Sequence, residues 1–157
     1  MGFITLEQAQ EMVSPGGHFP AWIADLGLRV EHLDAKSARL RLPRNPRIQR
    51  PGGVLLGQSL MAAADTSLVL AFSEAMGRMP AMATISLTTN FMRAAQDCDV
   101  LVEAVPLKIG RTTAFGEVTF TIPGDPAPIA KASATFAIMP EAAAAKFVPA
   151  STKQVAG

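Results

Sequence analysis

The longest apolar stretch of the chain runs from Val54 to Phe72 (VLLGQSLMAAADTSLVLAF) and contains a single ionisable side chain, Asp65. This pattern predicts a helix that is apolar on all sides and therefore lies in a core, with other elements packed around it. The stretch also contains Gly57, Gln58 and several hydroxyl residues, and it lacks flanking aromatic anchors. These features disfavour a membrane-spanning segment.

Strand-like segments, rich in β-branched and aromatic residues with partial alternation, surround this helix in the sequence. Upstream, residues 28–42 predict one strand, in whose second half Ala38, Leu40 and Leu42 share a face. Turn-forming residues separate the downstream segments, and we expect residues 123–128 (PGDPAP) to form a loop that no strand crosses. Four strands are predicted after the helix, at residues 83–93, 100–109, 112–122 and 129–139.

The order of one strand, a long helix and four strands predicts an α+β fold in which an antiparallel sheet wraps around one central helix. Such a sheet has exposed edges, so a homodimer or tetramer is expected rather than a monomer. Two short helices, at residues 5–13 with Thr5 as the cap and at 20–26, form a predicted N-terminal helical segment (residues 1–27). The main domain is predicted at residues 28–140, followed by a C-terminal tail (residues 141–157) to which no structure is assigned after Lys146.

Composition narrows the classes of function. The chain has 157 residues, of which 49% are hydrophobic and 17% charged, and this fits one domain. Its net charge is +1 and its basic residues are scattered, so neither nucleic acid nor a membrane surface is an expected partner. The single cysteine, Cys98, and the acidic N-terminus predict a cytoplasmic protein. No spaced metal ligands and no phosphate-binding loop occur, so we expect no metal and no cofactor.

Glycines mark the start of the predicted helix. Arg50, Pro51, Gly52 and Gly53 precede it, and Gly57 lies at its opening. The first turn of a helix offers unpaired N–H groups and the positive end of the dipole, which together can hold an oxyanion. A glycine at this point keeps side chains out of the way, although the same glycines suit a tight turn and a close helix–sheet contact equally well.

Asp65 is the second candidate for chemistry. An unpartnered buried carboxylate costs several kcal/mol, so this one must be neutralised, solvated by a cleft or retained for a reaction. Hydroxyls such as those of Thr66, Ser67 and Thr84 could satisfy it without any function. Gln58 and Asp65 are seven residues apart and share a helix face, about 10.5 Å apart along the axis, so a substrate could lie along that face. Alternatively, Asp65 reaches across a dimer interface to a carbonyl held by the other subunit's helix.

The segments PGGVLLGQSLMAAADTSLVLA, ATISLTTNFMRAA and KIGRTTAFGEVTFTI together resemble the PaaI-type acyl-CoA thioesterases of the hotdog-fold superfamily. The resemblance covers roughly residues 28–139. It implies a hotdog fold, a site between two subunits, and hydrolysis of an acyl-CoA to a free acid and coenzyme A. It also implies that the Gly57 N–H forms the oxyanion hole, that Asp65 is the nucleophile or general base, and that Thr84 is the hydroxyl residue near the site. Basic residues at strand ends are implied to meet the phosphates of coenzyme A, although such residues are more often solvated surface charges: Arg93, Lys108 and Arg111.

Three positions depart from the family pattern. Leu56 replaces the histidine, Gln58 replaces the second glycine, and Arg50 replaces a polar residue before the motif. Arg50 is either a surface residue or a contact for a substrate carboxylate, and Gln58 remains a substrate-binding candidate. These departures keep open a non-catalytic or weakly catalytic acyl-CoA-binding regulatory subunit as the alternative function, and a purely structural oligomer as the third.

Apolar residues bear on the identity of the acyl group. Methionine fills irregular space readily, so several methionines and one phenylalanine predict either an adaptable acyl pocket or ordinary core. The pocket interpretation favours an aromatic or medium-chain acyl group. The residues concerned are Met61, Phe72, Met76, Met79 and Met82.

Overall fold

The computed structural model describes residues 2–144. Its helices are α1 (Leu6–Val13), α2 (Ala21–Ala24), α3 (Gly57–Met76) and α4 (Glu141–Ala144), and a 3-10 helix covers Pro46–Ile48. The strands are β1 (Arg29–Leu33), β2 (Ala38–Leu42), β3 (Gln49–Arg50), β4 (Val54–Leu55), β5 (Met82–Phe91), β6 (Val100–Ile109), β7 (Thr113–Ile122) and β8 (Asp125–Ile138). The predicted tail beyond residue 144 lies outside the described residues.

Six of these strands form one antiparallel sheet in the order β1-β2-β6-β7-β8-β5, and β3 and β4 form a separate small hairpin. Helix α3 packs on one face of the large sheet, where alternate strand residues are buried. Phe72 of the helix meets Phe136 of β8 edge to face, with ring centroids 5.4 Å apart. The predicted architecture, an antiparallel sheet with a long core helix, is confirmed.

The single strand predicted at residues 28–42 is wrong in one respect, because the segment forms the hairpin of β1 and β2. Asp34 explains the turn, since its Oδ1 accepts hydrogen bonds from the backbone N–H groups of Lys36 and Ser37, both at 2.8 Å. The alternation predicted for β2 is confirmed, as Ala38, Leu40 and Leu42 are all buried.

The loop prediction for residues 123–128 is also wrong. Only Pro123 and Gly124 form the turn, and β8 begins at Asp125 and contains Pro126 and Pro128. The ladder between β7 and β8 is irregular here, and strand β5 pairs with β8 only from Ala130 onward. Proline is compatible with an irregular ladder and with a strand side that lacks a neighbour.

Helix α3 begins at Gly57, as the glycine pattern predicts, but its far end differs from the apolar stretch. Val54 and Leu55, at the start of that stretch, form β4, and the helix continues one turn beyond Phe72. Gly77, at φ 62°, adopts the left-handed conformation that ends it. The added turn contains Glu74, whose buried carboxylate accepts from the backbone N–H groups of Phe3 and Ile4 at 2.9 and 2.7 Å.

The two N-terminal helices form where the sequence predicts them. Thr5 caps α1 through a reciprocal capping box with Gln8. Val13 and Ile23 join the same core as α3, so this segment packs onto the sheet. Within residues 2–144, no helix is both long enough and apolar enough to cross a membrane.

Candidate active site

The N-terminus of α3 is held by the small hairpin of β3 and β4. The Leu56 N–H donates to the carbonyl of Ile48 at 3.0 Å, and no side chain caps the helix. In the part of the chain that the structure describes, the N–H groups of Gly57 and Gln58 have no acceptor. They are the donors that an oxyanion would need.

A cavity of about 470 Å³ opens at this helix start. It brings together four of the predicted site residues, Arg50, Gly57, Gln58 and Arg93. The rest of its lining is apolar: Val54, Leu55, Leu56, Leu60, Phe91, Met92, Ala94 and Ala95. The geometry therefore groups the predicted oxyanion donor with two cationic side chains and one amide side chain inside an otherwise apolar wall.

Phe91 lies directly against Gly57. A Cβ added to Gly57 would be 2.9 Å from Cζ of the Phe91 ring, closer than side-chain atoms pack. Phe91 is nevertheless 52% exposed. Gly57 thus lets the Phe91 ring lie close to the helix start, and a larger residue there would displace the ring. Phe91 is a wall of the cavity that sequence reasoning missed.

Arg93, expected to meet a phosphate, is engaged within its own chain. Its Nη2 lies 3.0 Å from Oδ2 of Asp125 and also donates to the carbonyl of Ala127. The Ala127 N–H, and after it the Arg93 guanidinium, lower the pKa of Asp125. The carboxylate therefore neutralises Arg93 at ordinary pH.

Asp65 and Thr84 meet at the other end of β5. The Thr84 hydroxyl donates to Oδ1 of Asp65 at 2.5 Å. Asp65 is only partly buried, because β5 is an edge strand and leaves this side of the helix accessible. A hydroxyl partner and partial exposure thereby remove the free-energy cost that an unpartnered buried carboxylate would have.

Within one chain, Gly57 and Asp65 lie too far apart to act on one carbonyl. They are separated by eight residues, which is about 12 Å along a helix axis. Helix α3 begins beside Phe91, which lies at the end of β5. Further along, Asp65 of the helix meets Thr84, which lies near the start of β5. The two halves of the predicted site therefore occupy opposite ends of that strand.

Lys108 and Arg111 do not lie near the cavity. Across the sheet, Thr84 of β5 pairs with Phe136 of β8, Phe136 pairs with Ala114 of β7, and Ala114 pairs with Ile109 of β6. The two basic residues, both exposed, therefore stand at the Asp65 end of the sheet.

The loop after β5 clamps the hairpin that carries Arg50. Gln96 Nε2 donates to the Gly52 carbonyl at 2.7 Å, and the Asp97 N–H donates to the Gly53 carbonyl at 3.0 Å. No signal in the sequence singled out Gln96, because its partner is a backbone carbonyl more than forty residues away. This clamp fixes the position of the helix start relative to Phe91.

The apolar residues proposed for an acyl pocket do not line this cavity. Phe72 is fully buried in the core, and Met76 borders a separate groove beside Glu74. Among residues 2–144, no group of three or more histidine, cysteine or acidic side chains is arranged to hold a metal ion.

Comparison with known families and structures gives the class of protein. Residues 50–137 match the model of the acyl-CoA thioesterase N-terminal domain, which covers more than half of the chain. The chain therefore belongs to the acyl-CoA thioesterases of the hotdog superfamily and is a thioester hydrolase. Its hotdog fold, expected from the sequence, is confirmed, and a PaaI protein is among the solved structures with a similar fold.

Solved structures are similar over most of the chain. The conserved protein PA5202 from Pseudomonas aeruginosa is 28% identical, with 77% of this chain and 95% of that chain covered and a TM-score of 0.71. A mutant of thioesterase PA1618 from the same species is 24% identical, with 87% and 94% covered and a TM-score of 0.75. A mutant of the phenylacetic acid degradation protein PaaI from Thermus thermophilus is 23% identical, with 76% and 100% covered and a TM-score of 0.66. A search of curated proteins found no match.

Proposed function

We propose that the protein hydrolyses an acyl-CoA to a free acid and coenzyme A at a site built from two copies of the chain. The observation that carries this proposal is the position of Gly57 and Asp65 at opposite ends of the open strand β5. In an antiparallel pair formed by two copies of β5, the start of one strand lies beside the end of the other. Asp65 of one copy is thereby carried toward Gly57 of its partner.

The roles of the residues follow from their chemistry. The Gly57 N–H donates to the thioester carbonyl oxygen and stabilises the negative charge that develops there. The Asp65 carboxylate either accepts a proton from an attacking water as the thiolate of coenzyme A leaves, or attacks the carbonyl carbon itself. In the second case the thiolate leaves a mixed anhydride with Asp65, and water then hydrolyses this anhydride to the free acid and restores the carboxylate. The Thr84 hydroxyl, through its bond to Asp65, fixes the orientation of the carboxylate.

The same pairing would bring basic residues toward this end of the site. Lys108 and Arg111 stand at the Asp65 end of the sheet, so a partner's pair would lie at the same end of the strand pair as the Gly57 cavity, outside the cavity itself. Exposed lysine and arginine side chains there suit the phosphates of coenzyme A. Arg93 is less available for that task because Asp125 already neutralises it.

Free-thiol release from a panel of acyl-CoAs tests the catalytic role of Asp65. We expect Asp65→Asn to lower kcat about 10²-fold to 10⁴-fold, the range for a lost general base. Asp25→Asn, which removes an exposed carboxylate from the end of α2, is the matched control and retains full activity. Equal rates in wild type and Asp65→Asn would refute the role, and tight binding without turnover in wild type would favour the regulatory subunit.

Mixing two inactive variants tests the shared site. Gly57→Val places a side chain against Phe91 and obstructs the oxyanion donor, and Asp65→Asn removes the acid. Random reassociation of equal amounts gives half mixed dimers, each with one intact site, so about a quarter of wild-type activity returns. If each site lay within one chain, mixing would restore nothing.

A further inference from the structure

The cavity at Gly57 has an unbalanced charge. Two arginines line it, and no aspartate or glutamate does. The positive end of the α3 dipole faces the same space. Within one chain, the cavity is therefore short of negative charge, and in the proposed dimer the partner's Asp65 is the one acid brought toward it.

Arg50 is the source of the imbalance. Arg93 is neutralised by Asp125, and Arg39, Arg41 and Arg44 each have a carboxylate within 4 Å. Within residues 2–144, Arg50 forms no salt bridge and no side-chain hydrogen bond. Its position on β3 is fixed by the hairpin, by the Gln96 clamp and by pairing with Val54.

The partner's Asp65 is directed at the thioester carbonyl, so a second anion that binds Arg50 comes from the substrate. Arg50 and Gly57 share one cavity of about 470 Å³, the size of a small-ligand pocket. A group held by Arg50 is therefore within one cavity length of the thioester carbonyl. The pantetheine arm carries the diphosphate of coenzyme A much further from the thioester, whereas a carboxylate at the far end of a short acyl chain falls within this range.

The remaining walls of the cavity suit an acyl chain that joins the thioester carbonyl to a terminal carboxylate. Leu56, Leu60, Phe91 and Met92 present apolar surface in the same cavity as Gly57 and Arg50. Methylene groups bury favourably on such surface, and a guanidinium pairs with a carboxylate through two parallel hydrogen bonds. Phe91 and Met92 are about half exposed, so the chain of a ligand would cover them.

We propose that Arg50 is a specificity-determining residue and that the preferred substrate is the mono-thioester of a dicarboxylic acid with coenzyme A. The acyl chain lies on the apolar wall, and its free carboxylate is bound by Arg50. This inference rests on the proposed thioesterase site and goes beyond it by naming the acyl group.

Adipyl-CoA and hexanoyl-CoA test the proposal, because they have acyl chains of equal length that differ in the terminal carboxylate. Wild type is expected to show a kcat/KM about 10-fold to 100-fold higher for adipyl-CoA, the range for a hydrogen bond to a charged group. Arg50→Gln should abolish the difference by lowering the adipyl-CoA rate alone. Arg47→Gln, which removes an exposed charge of the same connection outside the cavity, should preserve it.

Pantetheine thioesters of the same two acids distinguish a carboxylate from a phosphate. They lack the phosphates of coenzyme A, so the effect of Arg50→Gln persists on adipyl-pantetheine if Arg50 binds the acyl carboxylate. Loss of the effect on adipyl-pantetheine, or an equal effect of Arg50→Gln on adipyl-CoA and hexanoyl-CoA, would overturn the inference. Thiol release from none of the thioesters would instead overturn the proposed function. Circular dichroism and Arg50→Lys, which keeps the charge and part of the preference, separate recognition from misfolding.

Discussion

The two edges of the main sheet differ in whether another element covers them. At the β1 edge, the side-chain amide of Gln10 from α1 acts as a substitute strand: its Oε1 accepts from the Val30 N–H at 2.9 Å and its Nε2 donates to the Leu28 carbonyl at 3.1 Å. At the β5 edge, nothing in residues 2–144 covers the strand, and Ile85 is 60% exposed. Only the second edge is left free to pair.

This difference identifies where a second copy would bind. An open edge strand is a template for strand pairing, and an edge capped by a helix is not. Strand β5 carries no charged residue that would oppose such pairing. The open edge also carries Thr84 and Phe91, which contact the two residues proposed to share one reaction, so pairing and catalysis depend on the same strand.

Blocking the open edge should have the largest effect. Lysine at Ser86 and Thr88, two positions on β5, would place like charges together in a symmetric strand pair. The double variant should be monomeric in sedimentation equilibrium, and thiol release should fall about 10²-fold to 10⁴-fold, as when the base is lost. His32→Lys on the β1 edge is the control, with unchanged assembly and activity. A fully active monomer would contradict the shared site.

Uncovering the closed edge should affect stability and leave the reaction unchanged. Gln10→Leu leaves the Val30 N–H and the Leu28 carbonyl without their partner, which should lower the free energy of unfolding by about 1–3 kcal/mol. Urea titration measures this change, and Glu11→Ala on the exposed side of the same helix is the control. A parallel loss of thiol release per folded protein would mean that the β1 edge contributes to the site.

The smallest expected effect is the change of stability with pH. It concerns the titratable residue Asp99, whereas the open edge strand β5 has no titratable residue. The Arg44 N–H, and after it the Arg41 guanidinium, lower the pKa of Asp99. A carboxylate with a lowered folded-state pKa stabilises the fold above its unfolded pKa of about 3.9, and this stabilisation is lost as pH falls through the folded value.

Urea titration should therefore give a lower free energy of unfolding at pH 3 than at pH 7. This decrease should be smaller for Asp99→Asn than for wild type. Strand β5 has no titratable residue, so assembly of the folded protein should stay constant while stability falls. Dissociation into folded monomers in this pH range would show that charges outside β5 control the contact between copies.

Sequence patterns predicted the fold from features that are local. The apolar run identified α3, alternation identified β2 and the four later strands, and Thr5 identified the start of α1. Two predictions were wrong where local rules compete with tertiary pairing. Asp34 divides an apparently continuous strand, and the irregular ladder at residues 125–130 accommodates prolines within β8.

For the site, the residue types capable of chemistry could be read along the chain: a glycine at the helix start, a hydroxyl residue on the following strand, and Asp65 eight residues beyond Gly57. Their grouping could not, because it depends on the folded arrangement. Arg50, Gly57 and Arg93 share one cavity, Asp65 and Thr84 lie at the other end of β5, and Asp125 neutralises Arg93. Spacing along one helix fixes axial distance, whereas charge balance and proximity across strands depend on residues distant in sequence.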